Sequence, residues 1–123
     1  MKKLIFISLA IVILDQLSKF YFGKTKNYGA AFGILQGYNW LFIVIALSVI
    51  FAVLYYYKEF KSYGKYGVIF LFSGSIGNLV DRLFLGYVRD FIELGFWPSF
   101  NIADSFNVIG VVMLIVYFWR EKK

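Results

Sequence analysis

Cysteine and histidine are both absent from this chain of 123 residues, and proline occurs once, at Pro98. Without cysteine there is no disulfide, no thiolate metal site, no Cys nucleophile and no thiol for lipid attachment. Without histidine the Ser–His and Cys–His catalytic pairs are gone, together with the commonest metal ligand. Acidic residues are scarce as well: seven, against thirteen lysines and arginines, for a net charge of +6. No metal cluster stands out, and neither a metal nor a cofactor is expected.

What is abundant is apolar surface. The chain is 61% hydrophobic and 23% aromatic, with a mean hydropathy of +0.72. A soluble fold of this length has no interior large enough to hide that surface, whereas a bilayer does. One domain over residues 1–123 is expected. The basic residues gather at the ends of apolar runs instead of forming a stripe between aromatics. That is the pattern of membrane topology signals, and no nucleic-acid partner is expected. Lys2-Lys3 followed by Leu4 to Leu14 imitates a signal peptide. However, no small-x-small cleavage site follows and the apolar pattern resumes beyond Asp15, so the segment reads as a retained first helix.

Four segments are long enough to cross a bilayer: roughly Leu4–Phe22, Tyr38–Tyr57, Tyr66–Leu85 and Asp104–Trp119. At ~1.5 Å per residue, a helix of about 20 residues spans ~30 Å of hydrocarbon. Lys2, Lys3, Lys58, Lys61, Lys65, Arg120, Lys122 and Lys123 fall on one side, with Lys24, Lys26 and Arg89 as free loop charges on the other. This bias predicts cytoplasmic termini and an outward-facing 86–99 loop. Aromatics at Tyr21, Phe22, Tyr38, Trp40, Tyr55 to Tyr57, Tyr117, Phe118 and Trp119 read as interfacial belts. In the loop GYVRDFIELGFWPS, the alternation of Val88, Asp90, Ile92 and Leu94 predicts a short strand or hairpin closed by Trp97-Pro98. The expected class is an all-α membrane protein of four transmembrane helices with a small extracytoplasmic β-hairpin or cradle-like element.

The polar residues inside this apolar chain are the informative ones. An Asp facing lipid costs about 2.5–3.5 kcal/mol, so all four aspartates should face the bundle or water. Asp15 and Lys19 stand four apart, which places acid and base on one helix face as an ion pair. Ser18 and Lys19 point about 100° apart on a helix of ~3.6 residues per turn, too far for a Ser-Lys dyad. In Ser73-Gly74-Ser75-Ile76-Gly77-Asn78 the small residues permit close approach of a neighbouring helix. Asn78 and Arg82 follow on one face, and Gly77 and Asp81 on another. They read either as a polar cap to a packing seam or as groups that orient substrate backbone or brace the aspartates. Asn27-Tyr28-Gly29 is a turn signal, and its amide is also suited to holding an extended peptide. Asn101, three residues before Asp104, has the pattern of an N-cap with an acid in the first turn.

The cap does not account for Asp90. Two carboxyls with a water between them supply economical chemistry. The ionised one takes a proton from water, and the protonated one donates to a scissile carbonyl. Close like charges resist double ionisation, so such a pair shares one proton.

At these residues the chain resembles the lipoprotein signal peptidases (signal peptidase II), a bacterial family of membrane aspartic peptidases. Five ordered motifs carry the resemblance: Asp15-x-x-x-Lys19, the Asn27 to Gly33 run, Gly77-Asn78-x-x-Asp81-Arg82, Val88-x-Asp90-Phe91-Ile92 and Phe100-Asn101-x-Ala103-Asp104. The resemblance implies that Asp90 and Asp104 are the catalytic pair. Asn27, Asn78, Arg82 and Asn101 would be supporting polar residues around the substrate, with Asp15 and Lys19 bracing the site. It implies a substrate, a prolipoprotein signal peptide cut before a diacylglyceryl-modified cysteine, and inhibition by cyclic peptides such as globomycin. It implies residence in the bacterial cytoplasmic membrane among phospholipids, with the active site towards the outer face; a monomer is expected. One departure is visible. Only Phe20 to Lys26 separates the first two motifs, where family members carry a longer outer cradle, so a truncated cradle is expected here. Two other classes compete: a small proton-coupled transporter using Asp15 and Asp81 as relays, and a non-catalytic lipoprotein assembly factor. The gathering of acids towards the outer helix ends argues against the transporter.

Overall fold

A computed structural model of the chain describes residues 1–29 and 34–121. Residues 30–33 of the Asn27–Gly33 motif and the terminal Lys122 and Lys123 lie outside the described residues. The element order is α1 (Lys2–Phe22), β1 (Thr25–Asn27), α2 (Asn39–Tyr56), α3 (Ser62–Phe84), β2 (Val88–Asp90) and α4 (Ile102–Glu121), with a 3₁₀ turn at Tyr57–Glu59 between α2 and α3. All four helical segments are long and apolar enough to cross a membrane. Helices suit that medium because hydrocarbon offers the backbone no hydrogen-bond partner and a helix satisfies its own amides. The third and fourth helices run beyond the expected spans. α3 starts at Ser62, so Lys65 is helical, and α4 extends from Ile102 to Glu121.

α3 is the central helix and packs on α1, α2 and α4, most extensively on α4. The α3–α4 seam is built from small residues. A Cβ on Gly67 would crowd Gly110 O and Met113, and one on Gly110 would stand 2.7 Å from Gly67 O. One heptad away, Gly74 faces Ala103 in the same antiparallel register. Backbones without bulky side chains between them gain close van der Waals contact, the main attraction left when lipid is as apolar as leucine. α2 buries only Val53 and shows its other faces to the surroundings.

The bundle divides by polarity along its length. At the end carrying the termini, Leu4, Val53, Tyr57, Val68, Ile69 and Phe72 form an apolar core. Tyr57 and Tyr117, expected in the interfacial belts, turn inward instead, because Gly64 leaves room for the Tyr117 ring to stack on α3. Further along, Ser73 donates to Ile69 O at 2.6 Å and its Oγ lies 3.0 Å from Ser8 Oγ in a hydroxyl–hydroxyl bond. Beyond that point the interior is ionic.

The expected strand is present at Val88–Asp90, but its partner is distant in sequence. β1 and β2 pair antiparallel, with Thr25 opposite Asp90, Lys26 opposite Arg89 and Asn27 opposite Val88. The 93–99 loop is closed separately by an isolated bridge between Ile92 and Phe100.

Candidate functional site

α1 buries one stripe: Leu4, Ser8, Ile11, Asp15 and Lys19. The last two form a fully buried ion pair at 2.7 Å. Lys19 Nζ also donates to Gly77 O at 3.2 Å and to Asn78 Oδ1 at 3.0 Å, and stands 3.4 Å from Asp81 Oδ2. Asp15 Oδ1 accepts the Ala103 N–H at 2.9 Å. That satisfies a free amide in the first turn of α4 and places a negative charge at its positive end. Gly77 makes room for this arrangement, since a Cβ there would stand 2.6 Å from Asp15 Oδ2.

Asp81 is the second anion of the cluster. Arg89 was expected to be a free loop charge, but β2 folds back over the end of α3 and its guanidinium grips Asp81. Nη2 donates to Oδ1 at 3.0 Å and Nε to Oδ2 at 3.2 Å, while the Arg89 backbone N–H donates to Oδ2 at 3.0 Å. This two-pronged bond outweighs the guanidinium's burial and holds Arg89 more firmly protonated than a free arginine. Gln16 completes the group. It donates to Asp15, Gly77 O and Asp81 through Nε2, and accepts from Arg89 Nη2 at 2.9 Å through Oε1.

Asn101 ties the two remaining aspartates together. Its Oδ1 accepts the Asp104 N–H at 2.8 Å, and Asp104 Oδ2 accepts the Asn101 N–H at 3.2 Å. This reciprocal pair is a capping box at the head of α4. The cap leaves the Asn101 amide group free to donate to Asp90 Oδ1 at 2.9 Å and to Arg89 O at 3.3 Å. Asp104 Oδ1 accepts from Asn78 Nδ2 at 2.9 Å. Asp90 Oδ2 accepts from Asn27 Nδ2 at a longer 3.4 Å. Asn27 is oriented for this because its Oδ1 is occupied by the Gly29 N–H and by Gln36 Nε2, both at 2.9 Å. The Asn-x-Gly turn signal and the amide contact are thus one arrangement. Burial, and then the charge of Asp104, push the Asp90 carboxyl up to about 6; the amides of Asn101 and Asn27 and the charge of Lys19 oppose the rise.

Six of the eight expected site residues therefore form one hydrogen-bonded and ion-paired set: Asp15, Lys19, Asn78, Asn101, Asp104 and Asp90, with Asn27 joined at its edge. Arg82 makes its hydrogen bonds outside this set, although its charge acts on Asp104, Asp90 and Asp81. Its guanidinium donates to Gly29 O at 2.7 Å and to Asn39 Oδ1 at 3.2 Å, and lies over the Phe42 ring. It anchors the β1–α2 connection to the head of α2. Ser18 donates to the Asp15 carbonyl at 2.9 Å, as its divergence from Lys19 requires. Gln16, Asn39 and Arg89 were not among the expected site residues. Gln16 and Asn39 carry a faint signal, as isolated amides within or at the head of apolar runs; Arg89 carries none.

Two depressions meet at the pair. One, of about 350 Å³, is lined by Thr25, Lys26, Asn27, Gln36, Asp90, Pro98 and Ser99. The other, of about 330 Å³, is lined by Trp97, Pro98, Ser99, Phe100, Asp104, Ser105, Val108 and Ile109. Pro98 and Ser99 form their common rim. Asp90 thus opens to a polar groove and Asp104 to an apolar one. A larger apolar cavity of about 540 Å³ lies between α2, α3 and α4 at the opposite end, far from this network.

Four apolar helices enclosing an ionic cluster at one end define a multi-pass membrane protein with a polar site at the edge of its spans. Residues 6–120 match the profile of the family described as Signal peptidase (SPase) II, and the chain belongs to that family of peptidases. It is 39% identical to a lipoprotein signal peptidase of Halothermothrix orenii, with 94% of each chain covered. It is 37% identical to one of Streptococcus pyogenes (strain Manfredo), covering 99% of this chain and 97% of that one. The latter alignment runs over 148 positions, more than this chain has residues. A bacterial membrane enzyme solved by the in meso method at 2.3 Å superimposes with a TM-score of 0.91 at 30% identity, over 100% of this chain and 91% of that one. A second, solved at 1.9 Å, gives 0.78 at 31% identity, over 96% and 93%.

Proposed function

We propose that the chain is an aspartic endopeptidase that removes signal peptides from diacylglyceryl-modified prolipoproteins, cutting on the N-terminal side of the lipidated cysteine. Asp90 and Asp104 are its catalytic pair. The observation that carries this reading is that one residue, Asn101, donates to both carboxylates, to Asp90 through its side-chain amide and to Asp104 through its backbone N–H, where a polar and an apolar groove meet. A substrate with a lipid on one residue and a peptide on either side needs that junction. The relatives' shared name, lipoprotein signal peptidase, supports the same substrate.

Asp104 receives two N–H donors at the positive end of a helix, which favours its anion. Asp90 has one long, weak donor on Oδ2, which suits that oxygen to hold the shared proton. In the reaction, Asp104 takes a proton from a water held between the two. The hydroxide oxygen adds to the scissile carbonyl carbon, and Asp90 gives its proton to the carbonyl oxygen. Collapse of the tetrahedral diol breaks the C–N bond as the proton on Asp104 passes to the departing amine and one hydroxyl proton returns to Asp90, which restores the starting pair. The active site faces outward and the termini lie in the cytoplasm. Asp15 and Asp81, the relays a proton-coupled transporter would use, are tied up by Lys19 and Arg89.

The test is a gel-shift assay in nanodiscs with a diacylated precursor and its unlipidated twin. The wild type should cut only the former, and globomycin should block it. Asp90→Asn and Asp104→Asn should each lower the rate by about 100-fold or more while the protein stays folded. Full cleavage by either variant sinks the assignment.

A further inference from the structure

Seven charged residues converge on the site from every element packed around it. α1 brings Asp15 and Lys19, α3 brings Asp81 and Arg82, β2 brings Arg89 and Asp90, and α4 brings Asp104. α2 has no charged residue, and Lys24, Lys26 and Glu93 at the rim are exposed and screened by solvent. Four carboxylates thus face three cations, so the cluster is neutral when one proton sits on it. Lys19 is the cation in demand. It serves Asp15 at 2.7 Å and Asn78 at 3.0 Å, and through the Asn78 amide it polarises the donor to Asp104. Asp81 stands only 3.4 Å away and competes for it.

Arg89 settles that competition. It occupies both oxygens of Asp81 with its guanidinium, and its backbone N–H adds a third bond. The same bonds fix the strand one residue before Asp90. Gly23 allows the close fit, since a Cβ there would stand 2.9 Å from Arg89 Cβ. Resting on the peptidase reading above, we propose that Arg89 is a positioning residue: by occupying Asp81 it leaves Lys19 to Asp15 and Asn78, and by anchoring β2 to α3 it aims Asp90 at Asp104. The charge of Lys19 is among the influences that restrain the proton affinity of Asp90. Drawing Lys19 towards an uncovered Asp81 therefore makes the pair hold its proton more tightly.

The chain has four aspartates, so aspartate-selective 13Cγ labelling in nanodiscs gives four carboxyl signals, with Asp90→Asn assigning its own. Arg89→Gln should raise the midpoint of the Asp90 signal by about half a pH unit or more. It should also lower kcat by about tenfold while leaving KM within about twofold, the mark of an interaction realised in the transition state. Arg89→Lys, which keeps the charge, should leave the midpoint within about 0.2 units of wild type. In Asp81→Asn/Arg89→Gln nothing draws Lys19 away, and the midpoint should return towards the wild-type value. This double variant also removes the unpaired charge that would unfold the single one. An unmoved midpoint in folded Arg89→Gln overturns the proposal, as does an equal rise in Arg89→Lys or a raised midpoint in the double variant. Titration and cleavage separate the two readings: undiminished cleavage by Asp90→Asn removes Asp90 from the catalytic pair without touching the titration result.

Discussion

Asp90 shows how one residue's surroundings set its chemistry. A carboxyl ordinarily near 3.8 is pushed up to about 6 by burial and by the charge of Asp104. The folded protein therefore binds this proton more tightly than the unfolded chain does. Stability is full below the unfolded value and falls as pH rises through the folded one, in the window from about 4 to 6. The shift corresponds to about 3 kcal/mol for this group taken alone. Thermal midpoints of wild type should fall between pH 4 and pH 7, and Asp90→Asn, which stays neutral, should flatten that part of the curve. An identical slope in the variant would assign the pH dependence to other groups. Which residues meet here was partly legible from sequence. Asp90, Asp104 and the Asp15–Lys19 pair stood out because charge inside an apolar chain is costly, and Asn101 stood out as a cap. Arg89 did not, because a cation in a polar loop reads as solvated, and only the pairing of β2 with distant β1 turns it onto Asp81.

At the level of elements, the helices were legible from length and apolarity, but their inward faces were not legible in the usual way. In a soluble helix the buried face is the apolar one. In these spans every face is apolar, and burial follows small and polar residues: Ser8, Asp15 and Lys19 on α1, and Gly67, Gly74 and Gly77 on α3. α2 contains almost no such markers, so its inward face, Val53, could not be read. The partner of β2 was hidden for a different reason, since a three-residue strand carries too little pattern to specify what it pairs with. The seam of small residues makes a direct prediction. A side chain at Gly110 would meet Gly67 O at 2.7 Å and Leu71 N at 2.8 Å, both backbone atoms that cannot swing aside. Gly110→Val should therefore part α3 from α4 and cost about 1–3 kcal/mol by overpacking. Cleavage should fall too, because Asp104 rides on α4, with Asn101 as its cap, while Asn78 rides on α3. A thermal midpoint within about 1 °C of wild type in nanodiscs would show that the seam tolerates the added bulk.

For the whole molecule, direction in the membrane decides whether the site can meet its substrate. Lys2, Lys3, Lys58, Lys61, Lys65 and Arg120 gather at the end opposite the site, while Lys24 and Lys26 are the exposed lysines at the site end. Arg89, counted as a third free charge there from the sequence, is spent on Asp81. The bias towards the termini end is therefore steeper in the folded protein than in the sequence. Two of these lysines also lie along aromatic faces, Lys3 over Tyr66 and Lys65 over Tyr57, as basic chains do when they reach from a helix end to the headgroups. The proposed orientation, with both termini in the cytoplasm and the Asp90–Asp104 pair at the outer surface, rests on this bias, since positive charge is retained on the inner side. The absence of cysteine makes this easy to measure, because any introduced thiol is the only one. Lys24→Cys should react with a membrane-impermeant maleimide in intact cells, and Lys58→Cys only after the cells are permeabilised. The reverse pattern would place the grooves on the cytoplasmic side, and a prolipoprotein whose lipidated cysteine has already crossed the membrane would then have no route to them.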